Sequence, residues 1–426
     1  MNRLLTTIFF LLFPLLFKSV SSFTLPMTTT HPHIRSSSLN LFRRTGSSSS
    51  PSDRQKTKLK KARYKLTKAE LKNNKASNKI LKQRISVLGG GNFALALASI
   101  AASNNVAVTL LVRSESDANS INTLHRHPRY MNDLTLPKLV VATTDPSVAF
   151  GCSPTDSSPT YIIHAVPVQY SRAALVAAAP FMDPSTPILS ASKGIETTSL
   201  GFMADILQQT CGDTRPYAFL SGPSFAREII EKTCTAVVIA SEDIILADDL
   251  ASVMTNDHFR VFTSRDVIGV EVGGSVKNVI AIAAGMCEGL GLGTNAMSSL
   301  VTRGCAEMRR LGLHLGASPS TLAGLSGVGD TFGTCFGPLS RNRNFGIRLG
   351  KGETMDEILN STTEVAEGVD TCLALVNLIK KECKGYRLDL KYPIIYGMEK
   401  ILRGEMEPAV GLEGLMSMPL RMESYE

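Results

Sequence analysis

The sequence predicts an α/β chain in which a doubly wound, mainly parallel sheet is followed by an all-helical domain. Three observations predict it. Residues 85–98 read I-S-V-L-G-G-G-N-F-A-L-A-L-A. A β-branched run breaks into three glycines and continues as an Ala/Leu-rich segment, which is a strand, a tight turn and a helix start. Short apolar runs then recur at 106–112, 139–142, 161–166, 187–191 and 217–220, and their alternation with helical stretches such as 172–179 is the rhythm of parallel strands with crossover helices. From about Asp266 the alternation gives way to long Ala-, Gly-, Leu- and Met-rich segments of helical period, as expected of a second, helical domain.

The glycine turn comes first. Gly89, Gly91 and Ala94 fit G-x-G-x-x-G/A. The first glycine permits the turn, the second lets a pyrophosphate approach the backbone, and the third position keeps a small side chain where helix meets sheet. Free N–H groups and the dipole at the helix start favour phosphates. The turn therefore marks a Rossmann-type dinucleotide site, with an ordinary strand-to-helix turn as the bland alternative. The next run, 106–112, ends in Arg113. An NAD-binding unit carries Asp or Glu near this point for the ribose hydroxyls, whereas Arg holds a ribose phosphate. With Ser114 and Ser116 beside it, Arg113 favours NADP over NAD; use of both, or an exposed arginine ending a loop, are the alternatives.

Charge divides the 426 residues unevenly. Residues 1–84 hold eighteen Lys/Arg and two Asp/Glu, a local charge of +16, which leaves 27 basic against 35 acidic residues beyond them and a charge of −8. The overall +8 thus belongs to a leader, and nothing calls for a nucleic-acid partner. The leader has two parts. Residues 1–22 have Arg3, an apolar run from Leu4 to Phe17 and small residues at 19–22, the pattern of a signal peptide, and the run is short for a membrane span. Residues 23–84 are rich in Ser, Thr, Lys and Arg and poor in acids, as in an organellar transit peptide. Together they resemble the bipartite presequences of secondary plastids, with the secretory pathway or a basic disordered arm as alternatives. The expected division is therefore 1–22, 23–84, a dinucleotide-binding domain at 85–265 and a helical domain at 266–426. The eight cysteines, at 152, 211, 234, 287, 305, 335, 372 and 383, show no metal-ligand spacing. They read as reduced, mostly buried thiols, with no metal expected.

Several strands close on polar loops, where ligands bind in open parallel sheets. The run 187–191 ends in Ser192-Lys193-Gly194, and 217–220 leads into Ser221-Gly222-Pro223-Ser224-Phe225-Ala226. In the helical part, residues 271–290 are mostly small and apolar and predict a buried helix, interrupted only by Lys277 and Asn278. A buried lysine is costly unless paired or used, which favours a functional role over a snorkelling one. Asp330 follows the glycine-rich turn Ser326-Gly327-Val328-Gly329, where an N-cap and a site carboxylate are equal readings. Ser340-Arg341-Asn342 combines a hydroxyl, a guanidinium and an amide suited to phosphate, or is simply a polar loop.

These motifs together carry a resemblance. From Ile85 onward the chain resembles NAD(P)-dependent glycerol-3-phosphate dehydrogenases of the bacterial and plastid type. The match runs through G-G-G-N-F-A at 89–94, R-Y-M-N-D-L-T-L-P at 129–137, H-A-V-P at 164–167 and S-K-G-I-E at 192–196. It continues through S-G-P-S-F-A at 221–226, G-G-S-V-K-N-V-I-A at 273–281, G-V-G-D-T at 327–331, S-R-N at 340–342 and V-A-E-G-V at 365–369. The resemblance implies reversible reduction of dihydroxyacetone phosphate to sn-glycerol 3-phosphate with NAD(P)H. It implies Lys277 as proton donor and acceptor, with Lys193 and Asp330 beside it. It implies substrate contacts at Lys193, Gly222, Ser224, Asp330, Ser340, Arg341 and Asn342. Cofactor contacts are implied at Gly89, Gly91, Asn92, Phe93, Ala94, Arg113, Lys193, Ala226, Arg341, Val365 and Glu367.

Two rivals remain at this level. A 6-phosphogluconate or β-hydroxyacid type dehydrogenase also joins a Rossmann domain to a helical domain bearing a lysine, but the S-R-N and G-P-S-F-A motifs speak against it. A silent NADP-binding redox sensor has no use for Lys193, Lys277 and Asp330 together. The expected partner is a small-molecule substrate, the mature chain is expected not to span a membrane, and a homodimer is the expected assembly.

Overall fold

A computed structural model describes residues 83–151, 158–361 and 366–418. The signal and transit segments up to residue 82, and Val365, lie outside the described residues. Eight strands form one sheet in the order β3-β2-β1-β4-β5-β6-β7-β8. They are β1 (Arg84–Leu88), β2 (Ala107–Leu111), β3 (Val140–Thr143), β4 (Tyr161–His164), β5 (Ile188–Ser190), β6 (Tyr217–Ser221), β7 (Thr235–Ala240) and β8 (Phe259–Ser264). Strands β1 to β6 are parallel in the doubly wound order 3-2-1-4-5-6. The reversal of winding falls between β1 and β4, the switch point at which such sheets bind ligands.

Helices α1 (Asn92–Ser103), α2 (Glu115–Leu124), α3 (Pro146–Phe150), α4 (Val168–Ala178), α5 (Met203–Cys211), α6 (Ala226–Ile230) and α7 (Ile244–Met254) connect the strands. Alternate residues of one strand serve the two faces of the sheet. Ile85 and Val87 of β1 pack with the buried face of α1, while Leu88 packs with Val168 and Leu175 of α4 and Ile206 of α5.

Three predicted features are corrected. Arg84, assigned to the leader, is the first residue of β1, and its guanidinium donates to the carbonyls of Val148 and Ala149. The predicted set of strands also stops too early. β7 runs antiparallel to β6 and pairs in parallel with β8, which extends the sheet by two strands. The predicted helix at 172–179 starts earlier, at Val168, directly after Pro167.

The helical part is built on α8 (Val267–Gly289), which is buried almost continuously from Gly269 to Cys287. It is long and apolar enough to cross a membrane by composition, but 83% of its most apolar window is buried inside the fold, as in a core helix. Around it lie α9 (Gly293–His314), α10 (Pro319–Leu322), α11 (Asp330–Phe336), α12 (Arg341–Gly350), α13 (Met355–Ser361), α14 (Gly368–Glu382), α15 (Leu388–Lys391), α16 (Pro393–Leu402) and α17 (Pro408–Met416). α8 and α12 touch backbone to backbone. A methyl group at Gly285 would overlap the Arg343 carbonyl, and one at Gly346 would overlap that of Ile282. Only glycine permits an approach this close, and it seats α12 along the C-terminal half of α8.

Candidate active site

At the switch point, Gly89 has φ +128°, and a Cβ there would lie 2.6 Å from the carbonyl oxygen of Ala165 beyond β4. This position is closed to any other residue. Gly91 differs, because a Cβ built on it meets nothing within 4 Å. It is the N-cap of α1 and supplies no side-chain cap to the helix. The buried Oδ1 of Asn92, in the first turn, has no hydrogen-bond partner. Open space over Gly91, an uncapped helix start and an unpartnered polar atom fit the pyrophosphate of a dinucleotide. Ala94 is fully buried against the sheet, as the motif requires.

Arg113 is exposed just past the end of β2, with the hydroxyls of Ser114 and Ser116 2.7 Å apart beside it. Lys193 follows β5. Three strand spacings separate β2 from β5 in the sheet order, roughly 14 Å. Arg113 therefore stands apart from the lysine cluster, along the crevice edge.

On the other side of that crevice, residues far apart in sequence converge. Lys277 projects from the middle of α8 and donates to Asp330 Oδ1 at 2.9 Å and to the Thr334 hydroxyl at 3.0 Å. Lys193 donates to Asp330 Oδ2 at 2.7 Å and lies 3.3 Å from the Gly222 carbonyl. One carboxylate thus bridges two ammonium groups. Asp330 is 2% and Lys277 8% exposed, so the pairing is shielded from water. Asp330 is delivered by a single turn of π-helix, Leu325–Gly329, that runs into α11, a local irregularity common at functional sites. Its side chain turns to the two lysines.

Electrostatics follow from this packing. Burial raises the Asp330 carboxyl, but Lys193 and Lys277 outweigh it and hold the group below its ordinary range. Lys193 is lowered to about 8, first by burial and then by repulsion from Lys277, against the opposing pull of Asp330 and Glu367. Glu367 is raised, burial exceeding the attraction of Arg341, Lys277 and Lys193. Lys193, Lys277 and Arg341 against Asp330 and Glu367 leave a net positive field, which favours an anion.

The S-R-N stretch is a helix start instead of a loop. Ser340 caps α12, its hydroxyl accepting from the Arg343 N–H at 3.2 Å. Asn342 accepts from the Gly368 N–H at 3.0 Å, tying α12 to α14 beside Glu367. Ser224 donates to the Gly222 carbonyl at 2.8 Å, and Ala226 opens α6. Phe93, in the first turn of α1, packs on the core of the sheet domain and has Lys193 Nζ 6.0 Å from its ring centre. Thr334 is the residue that motif reading missed. Its signal is spacing, since it stands four residues after Asp330 on one helical face, and its hydroxyl donates back to the Asp330 carbonyl at 2.6 Å.

Comparison with known proteins agrees with this geometry. Residues 84–247 match the family description NAD-dependent glycerol-3-phosphate dehydrogenase N-terminus, and residues 266–413 match the corresponding C-terminus. The chain is 42% identical over 340 residues to a chloroplastic glycerol-3-phosphate dehydrogenase [NAD(+)] of Oryza sativa subsp. japonica, covering 79% of this chain and 74% of that one. It is 43% identical to a glycerol-3-phosphate dehydrogenase [NAD(P)+] of Desulfovibrio desulfuricans, covering 80% and 98%. The crystal structure of glycerol-3-phosphate dehydrogenase from Coxiella burnetii superposes with a TM-score of 0.73 at 30% identity, covering 79% and 99%. The chain belongs to the NAD-dependent glycerol-3-phosphate dehydrogenase family.

Proposed function

We propose that this protein interconverts dihydroxyacetone phosphate and sn-glycerol 3-phosphate, using NADP in preference to NAD. The observation that carries the reading is the Asp330 carboxylate holding Lys277 and Lys193 together across the crevice from the glycine turn. The cofactor, when bound, supplies or accepts hydride at the central carbon of the substrate. Lys277 as ammonium gives a proton to the carbonyl oxygen in reduction and, as neutral amine, takes it back in oxidation. Asp330 and Thr334 fix the direction of its Nζ. Lys193 adds positive charge where the oxygen gains negative charge. Arg341, at the first turn of α12 with Ser340 and Asn342, anchors the phosphate, helped by the helix dipole.

Gly89, Gly91, Asn92, Phe93, Ala94, Ala226, Val365 and Glu367 are assigned to the cofactor, and Gly222 and Ser224 to the substrate. Arg113 with Ser114 and Ser116 supports NADP, because a guanidinium and two hydroxyls suit a ribose phosphate. The leader composition and the chloroplastic relatives support delivery to a plastid, where the product would feed glycerolipid synthesis. A homodimer is the proposed assembly, which sedimentation of the chain from residue 84 onward tests. Measuring NADPH and NADH oxidation with dihydroxyacetone phosphate and with unphosphorylated ketones tests the activity. Rapid turnover only with the phosphorylated ketone supports the reading, and turnover independent of the phosphate removes it.

A further inference from the structure

The loop between β5 and α5 carries Lys193 at one end, but its other residues reach into both halves of the molecule. Ile195 is fully buried in the core of the helical part, together with Phe202. Ser192 is tied to the sheet, its hydroxyl donating to the Val166 carbonyl at 2.5 Å and lying 3.2 Å from His164 Nδ1. Gln169 of α4 donates to the Ile195 carbonyl at 2.9 Å and accepts from the Thr197 N–H at 3.1 Å.

Glu196 completes the arrangement. It is 4% exposed, and its two carboxylate oxygens take Nε and Nη2 of Arg172 on α4 at 2.9 and 2.8 Å. The Ser199 hydroxyl donates to the same carboxylate, and Arg172 reaches on to Gln209 of α5 at 2.9 Å. A bidentate guanidinium–carboxylate pair fixes direction as well as distance. An ion pair with one partner about one-third exposed adds little net stability, so the pair is better explained by the geometry it imposes.

We propose that Glu196, gripped by Arg172, is a positioning residue that sets Lys193 against Asp330 where the loop crosses from the sheet to the helical core. The inference rests on the activity proposed above. With the pair intact, the segment between Ser192 and Glu196 is held at both ends on the sheet side while Ile195 anchors it on the helical side. Lys193 then has one path to Asp330. With the pair broken, the loop follows the helical core and Lys193 loses its fixed reach.

The test compares Glu196→Gln, Arg172→Gln and the double variant with the parent chain in dihydroxyacetone phosphate reduction. The expected result is a fall in kcat of about tenfold or more in each single variant, the scale of a small misplacement at a reacting centre. The cofactor KM should stay within about twofold, and the double variant should be no worse than the poorer single one. The alkaline limb of the rate profile, set by Lys193 with Asp330, Lys277 and Glu367 facing it, should move upward as the loosened lysine gains water. Folded variants that keep kcat within about twofold with an unmoved limb overturn the proposal, even if their Tm has fallen. If Glu196→Gln does not fold, Arg172→Gln decides, since that side chain is 34% exposed. A parent chain inactive on dihydroxyacetone phosphate would instead remove the proposed activity.

Discussion

Lys277 Nζ and Asp330 Oδ1 meet at 2.9 Å across 53 residues of sequence, and both side chains are buried. The second oxygen of the same carboxylate holds Lys193. Replacing Asp330 by Asn keeps the shape and removes the charge that both ammonium groups share. Breaking a buried pair from one side costs about 3–5 kcal/mol. Asp330→Asn should therefore melt at lower temperature and reduce the ketone at least about a hundredfold more slowly. A carboxylate with a lowered folded pKa contributes stability in full above its unfolded pKa and loses it as pH falls through the folded value. Thermal melts over an acid series should show a flatter pH dependence in Asp330→Asn than in the parent.

Lys193 is lowered to about 8 by its burial and by Lys277. Its ammonium form, which supports charge development on the substrate oxygen, is lost as pH rises past that value. Reduction of dihydroxyacetone phosphate should then decline above about pH 8, read from kcat/KM profiles at saturating cofactor. A profile flat to pH 10 would separate Lys193 from the rate.

Arg341 sits in the first turn of α12, and its charge is felt by the buried Glu367. Arg341→Ala should raise the KM for dihydroxyacetone phosphate by about tenfold or more while leaving most of kcat, because a phosphate anchor contributes binding before and during the reaction alike. An unchanged KM moves the phosphate site elsewhere.

Arg113, past the end of β2, lies three strand spacings from β5, which leads into Lys193. Arg113→Ala should raise the NADPH KM by about tenfold and leave the NADH KM nearly unchanged, because only the former has a ribose phosphate to lose. Steady-state kinetics with both cofactors check this, and equal changes with both would place Arg113 outside the discrimination.

Much of this arrangement was legible in the residues. The turn at Gly89 to Ala94 announces itself because backbone geometry there leaves few residue choices, and a parallel sheet follows from strands that alternate with helices, although the 3-2-1-4-5-6 order is seen only in the fold. Lys277 stood out because a lysine within an apolar helix contradicts its surroundings. β7 was missed for a physical reason. Thr235–Ala240 enters the sheet antiparallel, outside the alternation that identified the others. Thr334 and Glu196 were missed as functional residues because their partners, Lys277 and Arg172, lie 57 and 24 residues away. Spacing along one helix shows that Thr334 shares a face with Asp330, but only the fold shows what stands opposite. Ser340 read equally well as a loop hydroxyl, since a cap is recognised by the N–H it accepts from.

The most direct measurement is single-turnover reduction of dihydroxyacetone phosphate by Lys277→Ala, beside a titration of NADPH binding. With Lys277 as the proton donor, cofactor affinity should stay within about twofold of the parent and hydride transfer should slow about a hundredfold or more. Hydride transfer at the parental rate, with cofactor bound, would contradict that role.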